Sequence, residues 1–121
     1  MTSRSAVFSP DRKYRYLLRR RVNDAVDTIC LFVLLNPSTA DEITNDPTIT
    51  RCAGFAEMWG FGWLWVANIF ALRSTDPKRL YGSRDPVGPD NDRYLRHASK
   101  RSSLTIAGWG RHGDFINRGA E

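Results

Sequence analysis

The chain has 121 residues, a formal net charge of +5 at pH 7 and a hydrophobic share of 41%. That is room for one core, too little for two, and apolar enough to exclude a disordered chain. The longest apolar run, residues 29–35, falls far short of the ~20 residues of a membrane span, and residues 1–10 hold no apolar signal stretch. A cytoplasmic protein with no membrane contact is therefore expected. Cys30 and Cys52 lie in apolar surroundings, which speaks for buried thiols rather than a disulfide framework. The two cysteines and two histidines have no zinc spacing, so no metal is expected.

Charge is unevenly spread. Residues 1–21 carry seven Lys/Arg against one Asp, residues 22–60 one Arg against six acids, and residues 61–121 ten Lys/Arg against six acids. A positive frame around an acidic middle favours polyanions as partners.

In chain order, residues 6–9 and 14–22 read as a β-hairpin about a Pro-Asp turn, with Tyr14, Tyr16 and Leu18 on one face. Residues 28–35 are apolar on both faces, as a covered central strand is. Asp46 then caps a helix with Pro47 in its first position; Ile49, Cys52, Ala53, Ala56 and Trp59 follow helical spacing, and Gly60 stops it. Residues 63–70 form a second buried strand. Asp76-Pro77 opens a short helix to Tyr81. Residues 90–100 form a further helix, with Tyr94, Leu95 and Ala98 inward, and residues 104–108 a third core strand. Strands alternating with helices predict a three-layer α/β sandwich with a mostly parallel central sheet and an N-terminal β-hairpin. It is one domain over 1–121: hairpin 1–22, βαβαβ core 28–113, tail 114–121.

Ligands of such sheets sit at the carboxyl ends of the strands. Three loops should converge there: Asn36-Pro37-Ser38-Thr39, Asn68 with Arg73, and Gly110-Arg111-His112. Asn36, Ser38 and Thr39 offer an amide and hydroxyls for a water or a phosphate, or they satisfy local backbone groups. Asp41 can activate a water, bind a metal or lie solvated, whereas Asp46 reads as a helix cap. Asn68, inside an apolar run, either ties two loops together or reads a nucleobase edge. Arg73, Lys78 and Arg79 are phosphate contacts or a solvated face. Arg15 and Arg19, interleaved with Tyr14 and Tyr16, hold nucleic acid or protect an edge strand. His112 is Gly-flanked and commonly a surface residue. No phosphate-binding loop and no Gly-x-Ser-x-Gly elbow is present, which disfavours nucleoside triphosphatases and α/β-hydrolases; no cofactor is expected.

Residues 35–41 (LNPSTAD), 45–48 (NDPT), 59–62 (WGFG), 68–73 (NIFALR) and 85–92 (DPVGPDND) resemble a bacterial and phage family of domains of unknown function, over nearly the whole chain. More distantly, the layout is similar to that of the uracil-DNA glycosylase superfamily. Its motif of the type Gly-Ile-Asn-Pro-Gly after the first core strand is matched by residues 34–38 (LLNPS), and its strand ending in Asn by residues 66–68 (VAN). The resemblance implies that Asn36 orients a hydrolytic water and Asn68 reads a flipped base. Water would then attack a glycosidic carbon and the base would leave as an anion.

The last motif of that superfamily, a His-Pro segment, does not occur in the sequence. The 121 residues therefore read as short for the fold, C-terminally truncated, with an open sheet edge that favours a homodimer. The expected function is binding of a nucleobase, nucleotide or DNA, with N-glycosidic hydrolysis left open. Asn36 and Asp41 stand as catalytic candidates. Pro37, Ser38, Thr39, Asn68, Arg73 and His112 stand as ligand contacts. Arg15, Arg19, Lys78 and Arg79 stand as nucleic-acid contacts. The alternative is a non-catalytic phage or mobile-element interaction protein that uses its basic surface on a partner.

Overall fold

A computed structural model of the chain describes residues 3–109. The elements are β1 (Arg4–Phe8), β2 (Arg15–Arg21), β3 (Ile29–Leu34), α1 (Pro47–Met58), β4 (Trp63–Asn68), a 3-10 helix (Pro77–Gly82), α2 (Asn91–Arg101) and β5 (Leu104–Gly108). The strands form one sheet in the order β1-β2-β4-β3-β5. β3 pairs parallel with β4 and with β5, while β2 pairs antiparallel with β1 and with β4.

The sheet is therefore mixed, not mostly parallel. Strand β4 offers its free row of N–H and C=O groups to the hairpin, and backbone groups at a buried edge must be paired. The hairpin thus extends the sheet. β5 also differs from expectation. It is an edge strand in which only Ile106 is partly buried.

Alternation along the strands builds two cores. Cys30, Phe32, Leu64, Val66 and Leu18 pack against Ile49, Cys52 and Ala56 of α1. Leu31, Val33, Trp65, Ala67 and Leu17 pack against Ala98 of α2. The two helices thus lie on opposite faces, giving three layers. Trp59, which helical spacing placed inward, is 46% exposed and stacks on Phe55 and Phe32.

Helix α1 is bounded as its sequence dictates. The Asp46 carboxylate accepts from the Ile49 N–H at 2.9 Å. At the other end Gly60 has φ +86°, the Gly60 N–H donates to the Glu57 carbonyl, and the Phe61 N–H donates to the Ala56 carbonyl. That pair of bonds closes the helix through a left-handed residue, which favours glycine.

The pairing of the hairpin carries one irregularity. Val7 pairs with Leu17 and Phe8 pairs with Arg15, leaving Tyr16 as an extra residue, a β-bulge. Tyr14 stacks on Tyr16 and Tyr16 on Tyr94 of α2, so both tyrosines face α2 while Leu18 faces α1. The expected single face for Tyr14, Tyr16 and Leu18 fails because the bulge breaks the two-residue period.

Gly60→Ala is expected to cost ~1–2 kcal/mol, the penalty of a Cβ in the left-handed region. Urea unfolding of the variant against the parent measures it; an unchanged midpoint would contradict the closure described.

Candidate functional site: a polar chamber and a basic cleft

At the carboxyl ends of β3 and β4, beneath the first turn of α1, lies a chamber of about 40 Å³. Arg15, Asn36, Ser38, Asp46, Thr48 and Asn68 line it. Asn68 ends β4 on the face shared by Leu64 and Val66, and is 1% exposed. Arg15 is 2% exposed, turned to this face by the bulge beside it. The Arg15 guanidinium donates to the Ala40 carbonyl at 3.2 Å and to Asn68 Oδ1 at 3.4 Å. Among the described residues the buried donors Arg15 Nε and Asn68 Nδ2 have no partner. Asn91 anchors the strand end by donating to the Asn68 and Ile69 carbonyls. Burial pulls the Arg15 pKa down to about 10, and Asp46 opposes that pull, so the group is a cation at neutral pH. Asp46 is the expected cap and also a chamber wall, its second oxygen accepting from the Ala40 N–H at 3.3 Å. A volume of this size suits a single water, whose share of the liquid is ~30 Å³, and is too small for a nucleobase ring.

Asn36 works as a tie. Its Nδ2 donates to the carbonyls of Ser74 (3.0 Å), Pro37 (3.2 Å) and Leu72 (3.4 Å), joining the loop after β3 to the loop after β4. Among the described residues its Oδ1 makes no hydrogen bond. Arg20, 3% exposed, fixes the next stretch of that loop. It donates to Asn45 Oδ1 at 2.8 Å, to the Thr44 carbonyl at 3.2 Å and to the Asp41 carbonyl. Asp41 closes the turn, its carboxylate accepting from the Thr44 and Ile43 N–H groups. Those bonds hold the Asp41 carboxyl below its usual range, making it a weak base. Glu42 next to it takes both terminal nitrogens of Arg12, at 2.7 and 2.9 Å, and is held down to about 2.

Outside the chamber is a cleft of about 590 Å³. Its charged lining is Arg12, Lys13, Arg73 and Arg79, joined by the hydroxyls of Ser38 and Thr39. The Phe8 ring carries Arg12 at 3.9 Å and Arg73 at 4.8 Å, which holds two cations side by side at the hairpin tip. Ser38 lines both spaces.

The expected residues thus divide. Asn36, Pro37, Ser38 and Asn68 meet in the chamber; Ser38, Thr39, Arg73 and Arg79 meet in the cleft. Asp41 lines neither space, and Lys78 is exposed on the 3-10 helix without lining the cleft. Arg15 sits inside rather than on a nucleic-acid-facing surface, and Arg19 lies on the α2 face against Trp65. His112 lies outside the described residues. Arg12, Lys13, Asp46 and Arg20 were missed as parts of the site. Arginines at 15 and 20, in a strand otherwise patterned for burial, were the available signal for Arg20. Burial raises the Cys30 thiol and pushes Cys52 up to about 11, so both stay neutral. Among the described residues no three His, Cys, Asp or Glu side chains group as a metal site, and no helix is long and apolar enough to cross a membrane.

Fold and site together define a three-layer α/β protein whose polar chamber and basic cleft sit at the carboxyl ends of parallel strands. Residues 15–121 match the family model described as "Protein of unknown function (DUF1643)", and the chain belongs to that family. The match opens on Arg15, the buried cation of the chamber. Neither the curated proteins nor the solved structures hold a significant match to the chain.

Asn36→Ala is expected to lower stability by ~1–3 kcal/mol, because carbonyls that the amide satisfied lose their donor; chemical denaturation reads the loss. Acid should loosen the same loop. Glu42 is depressed from 4.5 to about 2, so its stabilising contribution is complete above pH 4.5 and is lost as the pH falls toward 2. Melting temperature followed over that window should drop less steeply in Glu42→Gln than in the parent.

Proposed function

We propose that the chain binds a nucleobase-bearing anion, a nucleotide or a stretch of DNA, at the carboxyl edge of its parallel strands. The observation that carries this reading is the pair of unpartnered buried donors, Arg15 Nε and Asn68 Nδ2, next to a cleft whose charged lining is wholly cationic. A buried donor without an acceptor costs ~1–3 kcal/mol, so two in one chamber call for a ligand or water to complete them. Guanidinium and ammonium groups along the cleft suit phosphate oxygens. An amide edge suits a nucleobase edge. Ser38 belongs to both spaces, so a base would have to displace this side chain to reach Asn68.

The likeness of residues 34–38 and 66–68 to the uracil-DNA glycosylase superfamily supports a finer reading, N-glycosidic hydrolysis. A chamber water oriented by Asn36 adds to the anomeric carbon and gives its proton to the Asp46 carboxylate. The glycosidic electron pair leaves with the base, whose charge the Arg15 cation offsets.

Nucleotides and oligonucleotides should raise the melting temperature in a panel with bases and nucleosides. Arg73→Ala with Arg79→Ala should weaken oligonucleotide binding at least tenfold, and the parent should lose affinity with salt at a log–log slope of about −0.7 per phosphate held. No shift with any member of the panel would refute the ligand reading and favour the interaction protein. Base release from uracil-containing oligonucleotides tests hydrolysis. Asn36→Ala, assayed where it remains folded, should abolish that release; equal release would refute the role given to Asn36.

A further inference from the structure

A second groove lies at the opposite end of the sheet, where β4 begins and β2 ends. It runs between these strands and α2 and has a volume of about 680 Å³. Arg19, Arg21, Asp27, Trp63, Trp65 and Arg101 shape it. The Arg19 guanidinium lies 4.8 Å from the Trp65 ring and the Arg21 guanidinium 5.0 Å from the Trp63 ring. The far side of this ladder is closed by His97, stacked on Trp65 at 6.0 Å. Each guanidinium is thus held over an indole ring before any ligand arrives, which removes part of the ordering cost of binding.

Among the described residues, donors in this groove lack acceptors. Arg19 Nε, Arg21 Nη1 and Trp65 Nε1 are buried and make no hydrogen bond there. Arg21 shares charge with Asp27 at 3.0 Å and Asp24 at 3.6 Å. Among the described residues neither Arg19 nor Arg101 has an ion-pair partner. Arg101 also acts on Arg19 directly: after burial, its like charge is the largest influence lowering the Arg19 pKa. Two uncompensated cations against indole walls, with three orphaned N–H donors, form an arrangement short of an anion.

We propose that this groove binds a phosphate group carried by a nucleotide or a single-stranded polynucleotide, at a site separate from the carboxyl-edge cleft. A terminal phosphate, a phosphomonoester at a nucleotide or a strand end, is the matching class because its oxygens offer three acceptors and a charge near that of the two arginines. A carboxylate or an internal phosphodiester offers two acceptors and a single charge. The Arg19 fork and Arg101 meet the oxygens from the two sides of the groove, and small shifts of Arg21 and Trp65 bring their N–H groups to the same ion.

The test uses the indole N–H of Trp65 as a local reporter in ¹⁵N–¹H correlation spectra of the whole chain, assigned through Trp65→Phe. Inorganic pyrophosphate, AMP and a 5′-phosphorylated oligothymidylate are titrated separately. The Trp65 indole resonance should move saturably, and Arg101→Ala, an exposed change at a helix end, should weaken that response at least tenfold. Arg19→Gln should weaken it similarly, with melting curves confirming the fold. Arg73→Ala should leave it unchanged. Response to AMP alone names a mononucleotide as the source of the phosphate, and a tighter response to oligothymidylate names a polynucleotide; either supports the site. A Trp65 resonance unmoved by all three probes overturns the proposal, whether or not Ser38 and Thr39 amides move. So does a response indifferent to Arg101→Ala.

Discussion

The chamber depends on two arginines of one strand reaching the same side of the sheet. Arg15 and Arg20 are five residues apart, an odd spacing that in a regular strand places them on opposite faces. The bulge at Tyr16 adds one residue and brings both to the α1 side. Together they hold the carbonyls of Ala40, Asp41 and Thr44 and the side chain of Asn45, so the loop between β3 and α1 is gripped from beneath at both ends. Loops of this length carry more backbone polar groups than their own turns satisfy, and here buried guanidiniums supply the donors.

This grip explains how an acidic stretch survives in a basic protein. Asp41, Glu42 and Asp46 all belong to the gripped loop, and each is engaged: two with backbone N–H groups, one with Arg12. The carboxylates therefore organise the loop: Glu42 neutralises Arg12, while Lys13, Arg73 and Arg79 of the cleft have no ion pair among the described residues. Charge at the opposite end of the sheet is handled differently. There the arginines lie on indole rings; Arg21 is also paired with Asp24 and Asp27, whereas Arg19 has no ion pair among the described residues.

Much of the local structure was legible in the amino-acid order. The covered strands, the Asp-Pro helix starts and the Gly60 stop are consequences of side-chain shape and capping chemistry within a few residues. The convergence of Asn36 and Asn68 was also legible, because strands of a parallel pair deliver their last residues to one edge. Less legible was what those amides do there. Asn36 spends its donors on carbonyls up to 38 residues away, and nothing local marks which carbonyls will need it. Arg15 read as a surface cation, because in an unbulged strand that is where a cation beside two tyrosines belongs.

By itself, then, the sequence determined the elements, their caps, the two-faced strands and the polar residues at strand ends. These follow from periodicity and local hydrogen bonding. Tertiary structure alone decided that the hairpin joins the sheet and makes it mixed. It also decided that a bulge turns Arg15 inward, and that the cations divide between two separate grooves. Those outcomes rest on which backbone edges meet and on where one extra residue is absorbed, and pairing across the sheet settles both.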